Sequence, residues 1–586
     1  MVKSGLQADL ASHMIGPGSE AGSNLSGYID GAFSRYFAFL GLALVAGLCL
    51  FHFDHRLPEK SRAVVASTAL VISLSLGWIA LTRVLQFPIC GDDSYIDFRY
   101  IRNWVNGISF DYNPGEKVIG FTSHIHLILL YFLCSIFRST DVALVSQMIN
   151  AVFQMVNAVI IYFFAFDLFS KRSAAAAAIF VYAFDPYGIQ QTIFGKETHI
   201  LVTFLILSIW AMHHKRQGAV AWLTSIMPFI RPEAVIWWAV SLIWSFRENR
   251  RKLVGAYIFP GLAVLAIVLA LYLAFGTVIP HGMVGKFKMF YPMPPAFMFL
   301  NTVWMIGTGI FLPRFYLDVP GIAYFLAATI TGLVTIIVSF KVFKLTVVRY
   351  YMAAVIVFMV VFGIKNPAPF GWYHCWYSLI PVFFAALVFP LCLESITDSK
   401  RPMSKRVVAL VSIVALLMVQ LIQQFTRPEA NLTAVTFAWN NEFKRLAQFG
   451  EALEVMKKYP GWEKATIGAP EIGYLGYKHP GKILDFCGLL SPEVVRFGRL
   501  PDSHQGKGEV LEVNPAIVEA LKPEYIITLE SFGRELLKDA YFNSHYERIA
   551  TFENTWADSK GLFLYRLKQE SRDETGLESI EDKSSE

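Results

Sequence analysis

The chain has 586 residues, of which 55% are hydrophobic and 16% charged, with a mean hydropathy of +0.46. Soluble proteins carry about 25% charged residues, so this composition excludes an ordinary water-soluble globular protein and defines a polytopic α-helical membrane protein. The net charge of +6 implies no nucleic-acid partner, because membrane proteins distribute Lys and Arg to set their topology.

Residues 1–35 are rich in Gly and Ser, contain no apolar run, and read as a disordered segment rather than a cleaved signal peptide. A short first span or an interfacial helix follows at 36–52. Apolar runs long enough to cross about 30 Å of hydrocarbon recur at 64–88, 142–168, 174–188, 198–212, 253–275, 319–340, 350–364, 374–396 and 407–425. Shorter or ambiguous pieces fall at 122–137, 219–246 and 297–312. Together they predict a transmembrane domain over 36–425 with about 11–14 membrane segments. Basic clusters at Lys171-Arg172, His213 to Arg216, Arg247 to Lys252, Lys341 to Arg349 and Lys400 to Arg406 assign those ends to the cytoplasm. The intervening loops then face outward. Segment 122–137 upsets the parity of this topology and reads as re-entrant, interfacial or paired with a misplaced span.

Beyond residue 425 the pattern changes. Glu442 to Lys458 reads as an amphipathic helix, and Ala465 to Ala469, Lys482 to Phe486, Tyr525 to Leu529 and Gly561 to Leu567 read as strands. Residues 426–568 are therefore expected to form an extracytoplasmic α/β domain, followed by an acidic disordered tail at 569–586. The six cysteines show no CxxC spacing, which argues against a disulfide framework or a metal site built on them.

The outward-facing loops concentrate polar groups beside apolar runs. Asp92-Asp93 lies just past the 64–88 segment, where ionised groups lose solvation. The pair reads either as a functional acid site or as an ordinary loop or helix start with acids in its first turn. Asp93 and Asp97 would sit one helical turn apart, as would Arg99 and Arg102, and for Asp97 and Arg102 an intrahelical ion pair on a solvated face is the favoured reading. Arg231-Pro232-Glu233 interrupts an apolar stretch, as a structural pair or as a ligand-facing one. Glu197 occupies a similar niche in IFGKETHILVTF. Lys286 and Lys288 serve as interfacial anchors, or Lys286 as a point charge for a lipid phosphate. His124 and His126 flank an apolar run and read as structural. Trp372, Tyr373 and Trp376 most simply form an aromatic belt and alternatively stack on a sugar. Asn431-Leu432-Thr433 matches a glycosylation sequon, a frequent chance match.

In this order the elements resemble a family. GDDSYIDFRYIRNWVNGISFDYNPGEKVIGFTS resembles the first outer loop of GT-C-type glycosyltransferases that use polyprenyl-phosphate sugars, and in particular the bacterial arabinofuranosyltransferase-like group typified by the mycobacterial terminal β-(1→2) enzyme. Asp92, Asp93, Tyr95, Ile96, Phe98, Arg99, Tyr100 and Asn103, then Asn113 to Glu116, Gly120, Phe121 and Thr122, fit its first-loop pattern. FGKET, RPE, FGTVIPHGMVGK and EIGYLGYKHPGKILDFCGLLSPEVV resemble its downstream elements, so that the likeness runs from about residue 64 to 530. Ala234 stands where the group has Gly. His124, His126 and His281 also depart from it, so the family's particular sugar does not carry over with the architecture.

The resemblance implies a bacterial inner-membrane enzyme with a periplasmic C-terminal domain. It would move a sugar from a polyprenyl-phosphate donor to an envelope glycan or glycolipid acceptor, with inversion. Asp92 or Asp93 would be the general base, with the choice open. Arg99, Lys286 and Arg231 would neutralise the departing phosphate, and Glu116, Glu197, Glu233, His124 and Trp372 would line the substrate site. The paired carboxylates can instead hold a divalent cation, a reading placed below direct base catalysis. Rival classes are a transporter or flippase of lipid-linked saccharide and a non-catalytic envelope assembly protein.

Overall fold

A computed structural model describes residues 90–139, 141–183, 186–291, 346–365, 374–398, 400, 402–407, 409–410, 431–504, 511–555 and 559–568. These belong to one compact unit of the chain. The segments expected at 36–52, 64–88, 297–312 and 319–340, most of 407–425, both chain ends and Trp372 and Tyr373 lie outside the described residues.

The N-terminal part is helical. Helices run over Asp92–Val105, His124–Phe137, Val142–Phe169, Arg172–Ala183, Pro186–Phe194, Thr198–His213, Gln217–Ile226, Val235–Asn249, Leu253–Phe275, His281–Met289, Thr346–Lys365 and Leu379–Thr397. Among the described residues, Val142–Phe169 and the continuous stretch Pro232–Phe275 are long and apolar enough to cross a membrane. His124–Phe137, with 14 residues, reaches about 21 Å, short of the hydrocarbon thickness.

The 142–169 helix starts with Asp141, whose side chain accepts the N–H of Leu144, and ends at Ser170 in the left-handed region. Its polar residues face inward. Ser146, Gln147, Asn150, Gln154 and Asn157 are buried, while Met148, Val152, Val156 and Phe163 are exposed. Gln147 Nε2 donates to Ile193 O at 3.0 Å and Asn157 Nδ2 to His199 O at 2.9 Å. A water-soluble helix shows the opposite arrangement; polar groups gathered between helices with an apolar outer face suit surrounding lipid. The 253–275 helix exposes nearly its whole circumference, with only Pro260 buried. Its 23 residues span about 34 Å, and it stops where Gly276 adopts φ +72°, a conformation that favours glycine.

The C-terminal part is an α/β domain. A long helix, Asn431–Met456, precedes a five-stranded sheet of β1 (Ile467–Ala469), β2 (Ile483–Asp485), β3 (Tyr525–Leu529), β4 (Tyr546–Phe552) and β5 (Leu562–Leu567), in the order β2-β1-β3-β5-β4. β1 runs parallel to β2 and β3, and β5 is antiparallel to β3 and β4. All five residues of β3 are buried, as a central strand rich in Ile and Leu requires. Four strands fall inside the ranges predicted from sequence. The fifth, β4, was not foreseen because it is an edge strand whose Glu547 and Arg548 are exposed, and it lacks a continuous apolar run.

The segments that follow β1 and β2 meet the 92–121 segment of the helical part. Parallel α/β sheets generally place ligand sites at such strand ends. Glycines permit the close approach. A Cβ on Gly473 would lie 1.8 Å from the Asp92 carbonyl oxygen, and one on Gly285 would lie 2.4 Å from that of Gly488.

Candidate active site

The 92–105 helix begins at Gly91, where a Cβ would strike the Phe194 ring at 1.9 Å. Asp92 and Asp93 occupy its first turn, favourably placed against the positive end of the helix dipole. Their environments differ. Asp92 accepts the backbone N–H of Gly473 at 3.1 Å and of Tyr474 at 2.8 Å, one on each carboxylate oxygen. Asp93 is exposed.

Farther along the helix Arg99 is fully buried. Its guanidinium donates to Tyr112 O at 2.6 Å, Gly476 O at 2.8 Å, Gly481 O at 2.7 Å and Asn113 Oδ1 at 3.4 Å. It also lies over the Tyr112 ring, 4.5 Å from the centroid, and burial lowers its pKa to about 10. The phosphate contact expected of Arg99 does not fit these surroundings: the group is enclosed and most of its N–H bonds are spent joining the 92–121 segment to the α/β domain. Tyr112 and Asn113 extend the joint. Tyr112 Oη donates to Ile472 O at 2.6 Å, and Asn113 exchanges two hydrogen bonds with the backbone of Ile483 at 2.9 and 3.0 Å. Arg102 donates to Tyr477 O. Asp97 and Arg102 were expected in intrahelical ion pairs on a solvated face; instead Asp97 is buried against Lys196 and Arg102 reaches the α/β domain.

Asp97 is buried and faces Lys196, whose Nζ lies 3.3 Å from Asp97 Oδ2 and 2.8 Å from the Asp93 carbonyl oxygen. Burial pushes the Asp97 carboxyl up to about 6, against the opposing pull of Lys196. Burial acts to lower the Lys196 ammonium, but Asp97, Glu197 and Asp93 outweigh it and hold its pKa above the ordinary value. Lys196 is positioned by Gly195, which turns the chain at φ +71° close against Cys90, Phe98 and Ser146.

The next residue, Glu197, is buried with Oε1 2.6 Å from Arg231 Nε, and Arg231 also lies 3.3 Å from Glu233. Burial acts to raise the Glu197 carboxyl, but Arg231 and Lys196 pull it below its ordinary value. The Arg-Pro-Glu segment is thus linked to the GKET turn. Five charged side chains, Asp97, Lys196, Glu197, Arg231 and Glu233, alternate in sign beneath the exposed Asp93. Charges this enclosed persist only when paired.

The other candidates are more dispersed. Glu116 pairs with Lys482 of the α/β domain at 2.5 Å. Lys286 is exposed on the 281–289 helix. His124 packs against the rings of Phe121 and Phe229, with centroids 5.2 and 5.9 Å away. Trp376, expected in an aromatic belt, is buried and stacked on Phe358 at 5.2 Å, so it meets neither the interface nor a sugar. Lys196 was not singled out by sequence reasoning. Its signal was a lysine beside an acid in an apolar stretch, the same signal that marked Glu197.

Residues 439–571 match a family described as a domain of unknown function (DUF8728). No curated protein matches the chain. Among solved structures, the chain is similar to the oligosaccharyltransferase of Archaeoglobus fulgidus tethered with an acceptor peptide, at 12% identity and a TM-score of 0.43, covering 85% of this chain and 74% of that one. It is also similar to ArnT from Cupriavidus metallidurans bound to undecaprenyl phosphate, at 12% identity and a TM-score of 0.44, covering 87% and 98%. Likeness this slight transfers neither fold nor activity to this chain.

Proposed function

We propose that this protein is a bacterial inner-membrane glycosyltransferase of GT-C type, with its α/β domain in the periplasm. It would move a sugar from a polyprenyl-phosphate donor to an envelope glycan or glycolipid acceptor. The reading rests on one observation above all: an exposed carboxylate, Asp93, stands over the cation Lys196, which contacts its backbone at 2.8 Å, beside helices that present apolar side chains outward. Base and phosphate partner are thus neighbours, as transfer from a lipid phosphate requires.

Asp93 is the base in this scheme. An acceptor hydroxyl oxygen attacks the anomeric carbon and its proton passes to the Asp93 carboxylate. The bond from that carbon to the phosphate oxygen breaks, and its electron pair leaves on the polyprenyl phosphate. Attack from the face opposite the leaving group inverts the anomeric centre. Asp92 is the poorer base because two backbone N–H groups already stabilise its charge. Lys196 and the exposed Lys286 attract the phosphate, and Arg231 holds Glu197 in place. Glu116, Glu233 and His124 are assigned to the acceptor side.

The test is transfer by the purified full-length protein in lipid nanodiscs, using a panel of polyprenyl-phosphate sugars and an envelope glycolipid extract, read by mass spectrometry. A product heavier by one sugar, lost in Asp93→Asn, is expected. Movement of intact lipid-linked sugar across the bilayer, with no covalent change, would replace this reading with transport.

A further inference from the structure

We infer that Asp97, His126 and Glu197 form a binding site for one divalent transition-metal ion, with zinc the best fit. The three residues come from separate elements: the 92–105 helix, the start of the 124–137 helix and the residue preceding the 198–213 helix. Each offers one ligand atom, and those atoms all lie within 4.8 Å of one another in a buried setting. Zinc holds nitrogen and carboxylate oxygen at about 2.0–2.2 Å, which puts neighbouring ligand atoms about 3.4 Å apart. Small side-chain rotations close the remaining gap.

The hydrogen bonding of His126 points to a ligand. Ser146 Oγ donates its only hydrogen to Gly195 O at 2.7 Å, so at its 3.1 Å contact with His126 Nε2 it must accept. The Nε2 nitrogen therefore carries a hydrogen, and in the neutral ring Nδ1 carries a lone pair. Nδ1 has no hydrogen-bond partner among the described residues, and neither does Glu197 Oε2, although both residues are almost completely buried. Two unpartnered acceptors enclosed beside the Asp97 carboxylate are costly, and a cation between them removes that cost. Metal-bound histidines generally donate their other ring nitrogen to an oxygen that fixes the tautomer, which Ser146 does here. One imidazole and two carboxylates suit zinc. Their three-ligand set also leaves a coordination position for water or a substrate oxygen.

The site does not depend on the transferase reading, and its test does not use activity. Full-length protein in nanodiscs is stripped with a chelator and titrated with zinc chloride by calorimetry, with metal content measured by mass spectrometry. One zinc per chain is expected, lost in His126→Asn and in Asp97→Asn. No stoichiometric zinc in the wild type, or full stoichiometry in both variants, overturns the proposal. Should those variants fail to fold, Ser146→Ala keeps all three ligands and removes the tautomer control together with the bond to Gly195 O. Its zinc affinity is expected to fall roughly 10–100-fold, and an unchanged affinity overturns the assignment.

Discussion

Asp92 Oδ2 accepts the backbone N–H of Gly473 at 3.1 Å across 381 positions of sequence. This contact locks one member of the acidic pair to the α/β domain and leaves its neighbour Asp93 exposed. The two aspartates should therefore respond differently to the same substitution. Asp93→Asn is expected to lower the rate of sugar transfer by roughly 10²–10⁴-fold, the usual contribution of a general base, without altering stability. Asp92→Asn should shift the thermal midpoint and reduce transfer less. Parallel transfer assays and melting curves check this, and equal losses of activity at unchanged stability would assign the base to the pair rather than to Asp93.

Gly473→Ala places a methyl group 1.8 Å from the Asp92 carbonyl oxygen, and two packed backbone segments cannot both yield. A stability loss of about 1–3 kcal/mol is expected. Hydrogen exchange should rise in residues 472–478 and along the start of the 92–105 helix together, because both sides of the contact open at once. Faster exchange on one side alone would contradict the docking.

Arg99→Lys separates a structural guanidinium from a phosphate-binding one. Lysine cannot reproduce donation to Tyr112, Gly476 and Gly481 from one ammonium group. Two or more lost charge-assisted bonds should cost roughly 2–4 kcal/mol. The KM for the lipid donor, measured on the folded fraction, is expected to stay within about twofold of wild type. A large rise in KM at unchanged stability would restore Arg99 to the phosphate site.

Asp485 gives a pH dependence with a defined sign. Its carboxyl is fully buried, and burial raises its pKa from 3.8 to about 7, even though the N–H groups of Leu490 and Cys487 donate to it. The folded chain therefore binds this proton more tightly than the unfolded chain. Its stabilising contribution is complete below about pH 4 and is lost as pH rises through about 7. Urea unfolding followed by fluorescence between these limits should show a decline that Asp485→Asn flattens, whatever the variant's absolute stability. An unchanged slope in the variant would assign the dependence to other groups.

Much of the architecture was legible in the chain. The run Leu253–Phe275 carries no charge and can only be a helix in an apolar setting, and the strands at 525–529 and 562–567 declared themselves by short Ile-, Leu- and Phe-rich runs. The acidic loop and the EIGYLGYKHPG segment were each visible as unusual. That they are two halves of one joint was not, since nothing local in either segment encodes a partner some 380 residues away.

The roles of individual charges were still less legible. Asp92 and Asp93 are chemically identical, and Arg99 and Arg231 nearly equivalent, until the tertiary structure decides what each one meets. Folding gave Asp92 two backbone amides, buried Arg99 in a cage of carbonyls, and brought Lys196, Glu197 and His126 around Asp97. Sequence alone determined where apolar surface must be hidden from water, because hydrophobic free energy follows composition and period. Only the tertiary structure decided which polar groups are satisfied by protein and which remain available for chemistry, because electrostatic energies depend on distance and burial in three dimensions.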